Sequence, residues 1–89
     1  MVEEKIGIVE HFFTNISVAA IKITDGELKI GDTIHLVGAT TDLIHHIDRM
    51  EINRNPVQIA KKGDAIGIKI TGKVRNNDIV YKVPKEETA

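Results

Sequence analysis

His35, His45 and His46, with the carboxylates Glu10, Asp42, Asp48 and Glu51, are the side chains from which this sequence could assemble a metal site or an acid–base pair. Adjacent residues on a strand face opposite ways, so His45 and His46 cannot share an ion with each other. His35 could meet one of them across neighbouring strands, but nothing marks the third ligand that a zinc ion requires. Ser17 and the threonines stand at no spacing that supplies an acid–histidine partner, and none of the carboxylates has a specified partner acid, base or metal. The residues therefore predict no cofactor, no metal and no catalysis, with the histidines as exposed or half-exposed strand positions.

A second kind of chemistry is phosphate neutralisation. Residues 1–53 hold four basic against nine acidic side chains, whereas residues 54–75 hold six basic ones, Arg54, Lys61, Lys62, Lys69, Lys73 and Arg75, against Asp64 alone. The formal net charge of −1 argues against attraction of the whole molecule to nucleic acid. This one stretch could still displace counterions from a phosphate backbone in a salt-sensitive way that reads shape rather than sequence. Phe12, Phe13 and Tyr81 are the only rings, too few for a stacking platform on single strands.

The elements that must position these residues are strands. Fifteen Ile, eight Val and seven Thr face three Leu and six Ala, the reverse of what helices favour. At 89 residues there is room for one modest core. The pattern predicts a strand through Lys5–Phe13 with Ile6 and Ile8 on one face, a break at Thr14-Asn15, and a strand over Ile16–Ile23 whose apolar phase slips between Val18 and Ile21. Thr33–Val37 follows, then one long bent strand over Thr41–Ile52 that Pro56 ends. Val57–Lys62 reads as a single helical or 3₁₀ turn, Ala65–Ile70 as the cleanest strand, Asn76-Asn77-Asp78 as a turn and Ile79–Val83 as the last strand. Pro84 to Ala89 reads as a polar, disordered tail. The expected architecture is all-β: a small, closed, antiparallel, Greek-key-like barrel of six strands over residues 1–83. With no Cys, acids near Met1 and no long apolar run, a soluble cytoplasmic protein with no membrane partner is expected.

One phrase is written twice, LKIGDTIHL at 28–36 and AKKGDAIGI at 60–68. Gly31 and Gly63 can take a left-handed backbone, and Asp32 and Asp64 can accept bonds from nearby N–H groups, so each Gly-Asp reads as a corner rather than a catalytic pair. Asp25-Gly26 reads as a further tight turn.

These phrases and their flanks resemble the β-barrel second domain of translational GTPases, the domain that follows the GTP-binding domain in elongation factors Tu and G and initiation factor two. Gly26-Glu27-Leu28-Lys29-Ile30-Gly31-Asp32-Thr33-Ile34 fits that family's Gly-x-Leu/Ile-x-x-Gly-Asp-x-Val/Ile pattern, and Ala60 to Ile68 fits its Ala-x-x-Gly-Asp-x-Val/Ile-Gly-Ile/Val pattern. Ile6 to Val9, Val18 to Ile23 and Asn77 to Val80 align with its opening, second and closing strands. The phosphate-binding Gly-x-x-x-x-Gly-Lys-(Ser/Thr) run is absent, so neither GTP binding nor hydrolysis is expected. In elongation factor Tu this domain receives the aminoacylated end of transfer RNA through an Arg, a neighbouring Gly and a Glu. Here the resemblance places Asn15 and Ile16 at the first two positions and Glu51 at the third.

Two functions stay open on the sequence. One is a stand-alone module that contacts structured RNA or the ribosome through the six basic residues, as the resemblance to elongation factor G implies. The other is a protein–protein accessory subunit or homodimer with no RNA role, suggested by the separation of an acidic half from a basic stretch.

Overall fold

The β-branched composition resolves into ten strands in a computed structural model that describes residues 3–84. They are β1 (Glu4–Phe13), β2 (Val18–Ile23), β3 (Glu27–Lys29), β4 (Thr33–Val37), β5 (Asp42–His46), β6 (Met50–Ile52), β7 (Asn55–Val57), β8 (Ile59–Lys61), β9 (Ala65–Lys69) and β10 (Ile79–Val83). Every pairing is antiparallel. Eight strands form one sheet in the order β5-β4-β10-β1-β2-β9-β6-β7, and β3 and β8 form a separate two-stranded ribbon. Residues 85–89, most of the expected disordered tail, lie outside the described residues.

Alternation builds the core. In β2, Ala19, Ile21 and Ile23 point inward; in β4 Ile34 and Leu36, and in β9 Ile66 and Ile68 do the same. Leu28 and Ala60 of the ribbon join the same apolar cluster as the main sheet. The two sheets thus wrap a single interior, the all-β barrel type the sequence predicts, but the main sheet ends at β5 and β7 instead of closing on itself as expected. Burying each Ile or Leu there is worth about 1.5–3 kcal/mol relative to leaving it in water, and this interior replaces any staple.

The strand count exceeds six because the chain uses short strands at its corners. Val57–Lys62 is not a helical turn: Ile59–Lys61 is β8, held in register opposite β3 with Leu28 facing Ala60. Pro56 does not end the ladder either. It lies in β7, which terminates the main sheet and there needs no second row of donors. The long strand expected over Thr41–Ile52 divides into β5 and β6 around buried Ile47, where the phase change falls.

The expected slip in β2 is absent, since its burial alternates from end to end. The irregularities lie in β1, between Lys5 and Gly7 against β10 and between Val9 and His11 against β2. They turn Ile6 and Val9 inward, in place of the expected Ile6 and Ile8.

Candidate functional site

The Gly-Asp phrases form one repeated device. The Lys29 N–H donates to Asp32 Oδ2 at 2.9 Å, and the Lys61 N–H to Asp64 Oδ2 at 2.8 Å. In return Asp32 N donates to the Lys29 carbonyl at 3.0 Å and Asp64 N to the Lys61 carbonyl at 2.9 Å. Gly31 and Gly63 both sit at φ 97°, the left-handed region that the turn needs before its Asp. The structure adds a third copy: Arg75 N donates to Asp78 Oδ2 at 2.8 Å, Asp78 N to the Arg75 carbonyl at 3.2 Å, and Asn77 takes the glycine's place at φ 74°. Asn is the residue that best tolerates this backbone after Gly. Asp32, buried to 2% exposure, also has Lys82 Nζ at 3.5 Å. Gly26 makes its own left-handed turn at φ 65°.

All six residues of the basic stretch are exposed. Lys61 lies opposite Glu27 across the ribbon, and the Lys62 N–H caps the Gly26 carbonyl at 3.0 Å. Lys69 stands opposite Val18 and lines a shallow groove with Arg49, Glu51 and Gly67. Lys73 and Arg75 line another with Phe12, Thr14, Thr40 and Thr41. Arg54 occupies the β6–β7 turn at φ 67°. The six residues are carried by different elements: the β6–β7 turn, the ribbon and its following corner, β9, and the connection from β9 to β10.

Glu51, the position singled out by resemblance, is half-buried opposite Gly67 and ion-paired to Arg49 Nη2 at 3.1 Å. Arg49 was not among the residues singled out from sequence. Its spacing of two from Glu51 in extended chain, which puts both on one face, is the signal that finds it.

His35 has the most developed polar surroundings. Its Nδ1 lies 2.7 Å from Glu3 Oε1 and its Nε2 2.5 Å from Asp42 Oδ1, and as the imidazolium it donates to both. The Asp42 carboxylate first, then Glu3, holds the imidazole above its ordinary value of 6.5. Burial instead pushes His45 down from 6.5. His45 lies opposite Ile34 and His46 opposite Thr33, while His35 faces Ile44, so the neighbouring strands do not set His35 directly against either. Among the described residues no three His, Asp or Glu side chains form a group that could hold a metal ion. Among the described residues no helix is long and apolar enough to cross a membrane.

Residues 17–80 match the family described as elongation factor Tu domain 2. Over 78 residues, 86% of this chain, the sequence is 44% identical to an uncharacterised protease of Methanocaldococcus jannaschii, of which it covers 19%. It is 36% identical over 77 residues, 85% of the chain, to a collagenase of Porphyromonas gingivalis, of which it covers 21%. The chain thus spans about a fifth of the length of these curated relatives. Among solved structures, the C-terminal domain of a Geobacillus thermoleovorans protein assigned to the U32 peptidases superposes with a TM-score of 0.84 at 14% identity, covering 91% of this chain and 93% of that one. Its selenomethionine variant gives 0.83 at 15% identity, over 89% and 99%. At such identities the likeness is one of fold.

Proposed function

The chain belongs to the elongation factor Tu domain 2 family, and from that premise we propose that it is a non-catalytic accessory barrel that serves a larger, protease-type protein. The observation that carries this reading is the 44% identity to a segment making up only 19% of an archaeal protease. A barrel of that similarity, matching only a fifth of the relative, is read here as one module of a larger protein. Peptide-bond cleavage is left to the rest of such a protein. The Arg49–Glu51 groove is then a contact surface, and Glu51 is an ion-paired surface residue rather than a receiver of transfer RNA. A cytoplasmic location belongs to the same proposal.

The second reading, contact with structured RNA or the ribosome, draws on the exposure of Arg54, Lys61, Lys62, Lys69, Lys73 and Arg75. It ranks lower because the curated relatives are named as a protease and a collagenase.

Amide-resolved NMR of the labelled chain separates the two. In one titration the ligand is the archaeal protease lacking its matching segment, and in the other it is total transfer RNA, each at low and moderate salt. The accessory reading expects shifts with the first ligand and an unchanged spectrum with the second. Shifts confined to residues 54–75 that appear with RNA at low salt and fade as salt rises would reverse the ranking.

A further inference from the structure

The main sheet has two ends, and only one is protected. At β7, Pro56 sits in the outermost strand and offers no N–H, a common way of blunting an exposed edge. At the other end is β5, which carries neither proline nor lysine along Asp42–His46. Its hydrogen-bond phase is fixed at both ends, by Gly38 N donating to the Thr41 carbonyl at 2.9 Å and Ile47 N to the Asp32 carbonyl at 2.8 Å. Residues 41, 43, 45 and 47 therefore face β4 with their peptide groups, and Asp42, Ile44 and His46 turn theirs away from it. The side chains of the same three residues are exposed, Ile44 to 61%, more than any other large apolar residue described.

This row is its own complement. Laid antiparallel to a copy of itself about a two-fold axis through Ile44, it sets Ile44 against Ile44, Asp42 against His46 and His46 against Asp42. Each of these is a hydrogen-bonded pair, so the three N–H and three C=O groups on each copy all find partners. The apolar pair meets at the axis and the acid meets the imidazole on either side. His35 takes Oδ1 of Asp42, and Thr33 Oγ1 lies 3.3 Å from His46 Nδ1, so Asp42 Oδ2 and His46 Nε2 are the atoms that would meet.

We propose that the β5 edge is a homodimer interface, in which two copies join their eight-stranded sheets through Asp42, Ile44 and His46. The pairing is isologous and closes on itself, so it yields a dimer and not a fibre. It does not depend on the accessory reading, because it uses an edge that the Arg49–Glu51 groove does not touch. Only a five-residue strand is sealed on each side, so the dimer forms in a concentration-dependent way.

The chain has no cysteine, which makes Ile44→Cys a single-thiol probe. Hydrogen-bonded cross-strand residues have Cα atoms about 5.5 Å apart, within disulfide reach. Under mild oxidation Ile44→Cys is expected to cross-link at least tenfold faster than Asp25→Cys, whose thiol lies in an exposed turn off the edge. By sedimentation the wild-type mass is expected to rise with concentration from 9.8 kDa toward twice that value. Ile44→Lys, which sets two ammonium groups face to face, keeps it at the monomer. A wild-type chain that stays monomeric at every concentration overturns the proposal, as does a dimer that survives Ile44→Lys. Equal cross-linking at positions 25 and 44 also overturns it. So does a monomer whose Ile44 amide shifts only when the truncated archaeal protease is added, because the edge would then belong to another chain.

Discussion

Asp78 lies so close over Gly38 that a methyl group on the glycine would sit 1.9 Å from Asp78 Oδ1. The carboxylate is 5% exposed and its other oxygen holds the Arg75 N–H, so it cannot swing aside without breaking the corner that leads into β10. Gly38→Ala should therefore lower stability by about 1–3 kcal/mol, the usual cost of overpacking. Urea denaturation checks this, and Gly38→Ala combined with Asp78→Ala should cost less than the sum of the two single changes, because the second removes the clash.

The three corners should differ in strength according to burial. Asp32 is buried and has Lys82 beside it, Asp78 is buried against Gly38, and Asp64 is partly exposed. Asp32→Ala should cost the most, about 1.5–3 kcal/mol for a charge-assisted bond lost in the interior, and Asp64→Ala the least. Thermal melts of the three variants give the order directly, and equal losses would mean that burial does not govern the device.

A β-branched residue is strained at positive φ, so Gly31→Val and Gly63→Val should each cost more than about 1 kcal/mol. Nothing lies within 4 Å of the Cβ position at either glycine, so this loss isolates backbone strain from crowding. Asn77→Gly should change stability by less than about 0.5 kcal/mol, since easier φ and a freer unfolded chain offset one another. Melting curves of the three variants, collected side by side, check both statements.

These corners also show what the sequence makes legible. A glycine before an aspartate announces a left-handed turn because few other residues accept that backbone, and two such phrases with their flanks carry the family resemblance, while the β-branched composition and the spacing of short strands predict the all-β barrel. The third corner was read only as a turn, because Asn77 conceals the same geometry behind a side chain. The β1 bulges were not legible, since Ile6, Ile8 and Val9 are equally apolar and only the partner strands decide which face inward. β8 is hidden for the same reason: Ile59–Lys61 becomes a strand by pairing with the distant Glu27–Lys29 of β3, and not by its own pattern. The run of charge at 54–75 is visible in the sequence, but which strand or corner carries each of its residues depends on pairings that no local pattern gives.

His35 and His45 should titrate on opposite sides of 6.5. The Asp42 and Glu3 carboxylates raise His35, so its contribution to stability is complete below 6.5 and is lost as pH rises through its folded midpoint. Burial lowers His45, so its contribution is complete above 6.5 and is lost as pH falls toward its folded midpoint. Imidazole NMR shifts give both midpoints. Asp42→Asn should bring His35 down and leave His45 in place, and a His35 midpoint that does not move would detach it from Asp42.

The claim that this barrel serves a larger protease-type protein is tested most directly by replacement. In the archaeal protease, the 78-residue matching segment would be deleted in one form and exchanged for the present chain in another. Peptidase activity and melting temperature would then be measured against the parent. Deletion is expected to lower one or both, and this chain is expected to restore most of the loss, because it supplies the same module in the place of the deleted segment. A deleted form as active and as stable as the parent, or a replaced form no better than the deletion, would contradict it.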